Sequence, residues 1–173
     1  PRGAPASPHE GGSRLMFLSV VPFKDKPREA MAEALRPVLA ALVDLAQGAR
    51  VAHWSVRGPN FSSLHTLFGG LYDAASAQAD AVAEHMAMLG ATPDMTTEAT
   101  AEESPLEAFP RGETDGMKLC ALLRDRCAGT IEAAQEAASV PDGAGGIATV
   151  DVIVDAQRAV AKFGWMLGAH IDE

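Results

Sequence analysis

From Met31 to Val56 the apolar residues return every three or four positions, through Leu35, Val38, Leu39, Leu42, Leu45, Ala46 and Ala49. That is the period of an α-helix buried on one side. The same period recurs three more times. Leu64, Leu67, Phe68, Leu71, Ala75, Val82, Met86 and Leu89 mark a second helix. A third spans about 114–140, and a fourth about 148–171 carries Val150, Ile153, Val154, Val160, Leu167 and Ile171 inward. The breaks carry helix-ending chemistry. Gly58 suits the position just past a helix, Pro59 cannot continue one, and Asn60 is a natural cap for the next. Gly90 and Pro93 stop the second helix, and Pro141 is expected to end the third ahead of a glycine-rich turn at 142–146. Pro37 predicts a kink in the first helix or a late start to it. The Thr-, Glu- and Pro-rich connection 91–112 is too long to be structureless, so a short helix is expected near Thr97–Glu103.

Aromatic residues are only 5% of the chain, and alanine supplies much of its 47% apolar content. Alanine is the best helix former but buries little area, so closely packed helices are favoured over a sandwich of β-branched and aromatic strands. The pattern predicts an all-α fold: a ferritin-like four-helix bundle with a short helix in the long crossover between helices two and three. Residues 1–27 read as a Pro- and Gly-rich tail followed by an extended apolar arm, and 28–173 as the bundle. No apolar run approaches the roughly 20 residues needed to span a membrane, and Leu15–Phe23 lacks a cleavage site. A cytoplasmic protein is expected. Cys120 and Cys127 fall about 10 Å apart along one helix, too far for a disulfide, and read as small buried hydrophobes. Fourteen basic against 23 acidic residues give a net charge of −9, which disfavours DNA binding through the whole surface and suits a protein that handles cations.

The chemistry-bearing residues collect on the second helix and the end of the first: His53, Trp54, His65, Asp80 and Glu84. Asp80 and Glu84 are four apart and share a face. His53 and His65 flank the hairpin between the two helices and could meet. Asp80, however, lies fifteen residues beyond His65, about 22 Å along a straight helix. One metal cannot reach both within a chain. An antiparallel two-fold copy would bring the histidines of one subunit to the carboxylates of the other. Two nitrogens and two carboxylates suit iron or zinc better than calcium or magnesium. The Glu-x-x-His pairs of an intrachain di-iron bundle are missing, since neither His85 nor His170 has a Glu three residues earlier.

The segment Ala52-His53-Trp54-Ser55-Val56-Arg57-Gly58-Pro59-Asn60-Phe61, followed by Leu64-His65, Ala79-Asp80 and Ala83-Glu84, closely resembles the Dps family of miniferritins. Leu89-Gly90, Ser104-Pro105-Leu106, Lys162-Phe163-Gly164-Trp165 and Ala169-His170 extend the likeness over about residues 28–172. The resemblance implies a dodecameric shell built from two-fold dimers. Fe(II) would be oxidised between subunits, preferentially by hydrogen peroxide, and ferric mineral stored inside, which protects against oxidative stress. His53 and His65 of one chain with Asp80 and Glu84 of another would bind the iron, Glu84 as the strongest ligand. Trp54 could intercept stray oxidising equivalents or pack at the dimer interface. Asp151 falls where the family lines an acidic three-fold pore, with Asp142 and Asp155 as weaker candidates.

The chain departs from that pattern just past its second histidine. The family usually carries acids there and four to five residues further on, whereas this chain has Thr66, Gly69 and Gly70. A weakened second iron position is expected, with Asp73 as a substitute acid. Two adjacent mid-helix glycines, each costing about 1 kcal/mol against alanine, suggest close approach of another helix or drift. The competing function is compaction of nucleoid DNA through a basic tail. Here Arg2, Arg14, Lys24, Lys26 and Arg28 stand against Glu10 and Asp25, a modest cluster on an acidic chain.

Overall fold

The computed structural model describes residues 19–144 and 146–171. The expected flexible tail lies outside these residues. Helix α1 spans Asp25–Ser55, α2 Phe61–Met88, α3 Thr97–Glu103, α4 Gly116–Gly143 and α5 Ile147–Gly168. No strand occurs among the described residues; one bridge joins Arg57 to Asp115. The four long helices form the bundle. α1 packs on α2 and α4, and α5 on α4 and α2, so the order around it is α1, α2, α5, α4. α3 lies against the outside of α1.

The core is built from the periodic residues. Leu35, Leu42, Leu45, Leu64, Phe68, Leu71, Leu119, Leu123 and Ile153 are fully buried. Alanines 40, 41, 49, 52 and 75 are also fully buried, and their small volume lets the helices approach closely. α1 runs unbroken through Pro37, which rules out the late start, because Leu35, Val38 and Leu39 lock the helix into the core on both sides of it. α4 corrects the sequence reading: it continues past Pro141 to Gly143. A proline removes its own donor and crowds the carbonyl four residues earlier, yet here the following turn closes through Ala144 N–H to the Val140 carbonyl at 3.2 Å, and Pro141 itself is buried. α5 is correspondingly set one residue earlier at its start and ends at Gly168 rather than at 171. Asn60 sits at the cap of α2 without a side-chain capping bond, whereas Asp115 caps α4 by accepting from Met117 and Lys118 at 3.0 and 2.9 Å.

Buried charges tie the crossover down. Arg36 holds Glu103 at the end of α3, with a 2.9 Å bond from Nε. Asp44 pairs with Arg126 at 2.6 Å and accepts from the Ser104 hydroxyl at 2.6 Å, while Arg126 donates to the Glu107 carbonyl. These contacts link α1, the crossover and α4 in one network. Cys120 and Cys127 are buried free thiols, and burial pushes them up to about 11 and about 12, so they stay protonated. His85 is buried against Thr149 of α5, its Nε2 2.8 Å from the hydroxyl, and burial lowers its pKa.

Candidate metal centre

The hairpin between α1 and α2 turns through Gly58 at φ +105°, a conformation that favours glycine, and the Phe61 N–H bonds its carbonyl at 3.1 Å. This turn sets His53, in the last turn of α1, against His65, in the second turn of α2. Their rings stack with centroids 3.6 Å apart and planes inclined by 23°. The Phe61 ring also stacks on His65, with centroids 5.1 Å apart.

The two imidazoles hold each other by the backbone. His53 Nδ1 lies 2.6 Å from the His65 carbonyl, and His65 Nδ1 lies 2.8 Å from the His53 carbonyl. A carbonyl oxygen can only accept, so in the neutral ring the proton sits on Nδ1. Both Nε2 atoms then keep a lone pair, the form in which imidazole binds a metal. The His53 carbonyl belongs to the last turn of α1 and has no partner within its helix, so the contact also satisfies a helix end.

Gly69 makes this arrangement possible. A Cβ there would stand 3.0 Å from His53 Nδ1 and 3.2 Å from its Cε1. The His65 carbonyl lies one turn earlier on the same helix, and the His53 ring approaches it across the space that residue 69 leaves open. A Cβ on Gly70 would meet the Phe163 ring at 3.3 Å. The glycine pair therefore reflects close approach from α1 on one side and α5 on the other. In Gly69→Leu the side chain displaces the His53 ring, yet gains helix propensity worth about 1 kcal/mol. We expect metal binding, read by titration calorimetry, to weaken at least tenfold while the thermal midpoint falls little.

Asp80 and Glu84 are exposed, far along α2 from the histidines. Among the described residues no three His, Cys, Asp or Glu side chains come close enough to hold a metal ion. Within one chain the histidine pair and the carboxylate pair thus stay apart, at opposite ends of α2. Asp73 is exposed one turn past Gly69, and the Thr66 hydroxyl is spent on the Ser62 carbonyl at 3.0 Å. Trp54 is 62% exposed. Asp151 is exposed near the start of α5, Asp142 is exposed near the end of α4, and Asp155 pairs with Arg158 at 3.0 Å.

Sequence reasoning missed Arg50 and Tyr72. The Arg50 guanidinium lies 3.5 Å above the Tyr72 ring. Hydrogen bonding from Arg50 and Ser76, with the Arg50 charge, holds the phenol below its usual pKa against the opposing charge of Asp73. The available signal was spacing: Arg50 is three residues before His53, and Tyr72 seven after His65.

Residues 32–173 match the Ferritin family, described as a ferritin-like domain. The chain is 32% identical to the DNA protection during starvation protein of Brevibacillus brevis, over 69% of this chain and 80% of that one. It is 30% identical to the protein of the same name from Agrobacterium fabrum, over 80% of this chain and 86% of that one. The chain belongs to the Dps family of miniferritins. Dps from Microbacterium arborescens, solved in a high-iron form, superposes with a TM-score of 0.82 at 28% identity, covering 90% of this chain and 99% of that one. The all-helical bundle with its crossover helix is thus the Dps fold, and no helix among the described residues is long and apolar enough to cross a membrane.

Proposed function

We propose that this Dps chain oxidises Fe(II), its substrate, at sites shared by two-fold related subunits and stores the ferric product inside a dodecameric shell. The observation that carries the reading is the placement of two ligand pairs: two stacked histidines, from the end of α1 and the start of α2, with free Nε2 atoms, and two exposed carboxylates four apart near the far end of α2. An antiparallel copy of α2 joins them into a centre of two nitrogens and two carboxylates. His53 and His65 would bind through Nε2, each ring oriented by its Nδ1 bond. Glu84 would neutralise charge as well as coordinate, and Asp80 would bind directly or orient a ligand.

Hydrogen peroxide takes two electrons and two protons to give two waters. Two ferrous ions supply both electrons, so no hydroxyl radical need be released. Asp151, exposed at the start of α5, would line an acidic three-fold entry that concentrates Fe²⁺. DNA compaction gains nothing from a chain of net charge −9.

Stopped-flow oxidation of Fe(II) with peroxide and with oxygen tests the reading. The double variant His53→Ala, His65→Ala should lose at least about 100-fold in rate, since removing ligands exceeds the 10–100-fold effect of removing their supports. Unchanged kinetics would refute the site. In the same assay Asp151→Asn should slow iron entry while leaving the oxidant preference alone; an unaltered entry rate would remove Asp151 from the pore.

A further inference from the structure

Arg50 lies one helical turn from His53 on α1, and Tyr72 lies two turns past His65 and one past Gly69 on α2. Arg50 precedes His53 by three residues on α1, and Tyr72 follows Gly69 by three on α2. At the upper level the His53 ring fills the space over Gly69, with Nδ1 3.0 Å from where a Cβ would stand. At the lower level the Arg50 guanidinium covers the Tyr72 ring at 3.5 Å. The two contacts form successive rungs between α1 and α2, so the Tyr72 ring stands on the rung next to that of His53. It is the only tyrosine in the chain.

The upper rung bears on the second iron position, which the sequence leads us to expect to be weak. The positions following His65 offer Thr66, whose hydroxyl bonds Ser62, and Gly69, whose space the His53 ring occupies. Neither supplies a carboxylate, and the next acid, Asp73, is exposed one turn past Gly69. A site holding one ferrous ion can give peroxide one electron, and the unmatched second electron is what would release a hydroxyl radical.

We propose that Tyr72 supplies that second electron when a single ferrous ion is oxidised. This rests on the iron-oxidising reading above. Fe²⁺ gives up one electron and becomes Fe³⁺. The Tyr72 phenol gives up one electron and its proton and becomes a neutral tyrosyl radical. Peroxide takes both electrons, that proton and one more from solvent; its O–O bond breaks and two waters form. Arg50 fixes the ring by stacking over it. Trp54 is adjacent to His53 in sequence but 62% exposed, and among the described residues no cation is found against its ring.

The test loads the assembled protein with one Fe(II) per site, adds peroxide and freezes the mixture for electron paramagnetic resonance. Iron oxidation is followed by absorbance, and hydroxyl radical by a spin trap. The wild type should show a tyrosyl signal and consume close to one peroxide per iron, against one per two irons at double loading. Because the chain has one tyrosine, growth on ring-deuterated tyrosine should narrow that signal without any mutation. Tyr72→Phe keeps the ring under Arg50 and should still oxidise iron, but lose the signal and release several-fold more trapped hydroxyl radical. Trp54→Phe should keep the signal. Iron oxidation with no tyrosyl signal, or a signal that deuteration leaves unchanged, would overturn the role of Tyr72. Failure of the wild type to oxidise iron at all would overturn the underlying reading, and the role of Tyr72 with it.

Discussion

Two variants expected to be inactive should, when refolded together, recover about one quarter of the wild-type rate of Fe(II) oxidation. One carries His53→Ala and His65→Ala, the other Asp80→Asn and Glu84→Gln. Each alone leaves every site without half of its ligands, so each should run near the uncatalysed background. In a mixed two-fold dimer the histidines of the second variant face the carboxylates of the first, which makes one intact site. The other site of that dimer lacks all four ligands. Random pairing makes half of the dimers mixed, and half of their sites are whole. The result depends on the 22 Å that separates Asp80 from His65 along α2. A centre built within one chain would show no recovery on mixing, and that outcome would refute the shared site.

The largest expected loss of stability comes from Asp44→Ala. Asp44 accepts from Arg126 at 2.6 Å and from Ser104 at 2.6 Å, and the Arg126 side chain is only 3% exposed. Removing the carboxylate leaves a guanidinium charge buried beside the Phe109 ring with only carbonyl partners, those of Glu107 and Asp44 itself. Breaking a buried pair from one side costs about 3–5 kcal/mol, and the retained carbonyl bonds place this case near 3. For a domain of this size that lowers Tm by about 6–12 °C. Arg126→Met removes the buried charge itself and keeps much of the packing volume, so it should cost clearly less. Thermal unfolding of the two variants side by side checks the order; equal losses would show that packing, and not the stranded charge, decides stability here.

Much of the bundle was legible because helical period and helix stops are local properties. α3 at Thr97–Glu103 follows from loop length and composition, and Gly58 and Gly90 take the positive φ that their positions past a helix imply. The misjudged stop at Pro141 has a local cause too. A proline removes one donor, and whether the helix goes on depends on neighbours that the pattern does not show. The crossover clamp was not legible. Asp44, Ser104, Glu107 and Arg126 are ordinary residues scattered over 82 positions, and only folding makes them one network.

For the proposed site, the sequence by itself determined which residues are candidates and that His65 and Asp80 stand too far apart along one helix to share a metal. Both follow from residue types and from the fixed rise of a helix. It did not determine why Gly69 and Gly70 interrupt a good helix or that Arg50 and Tyr72 stand beside the histidines. Those depend on how α1 and α5 seat against α2. A gap beside a backbone carbonyl becomes meaningful only when a ring from another helix is seen to fill it. Helical rise is a property of the chain alone, whereas the rungs between α1 and α2 are a property of the packed pair.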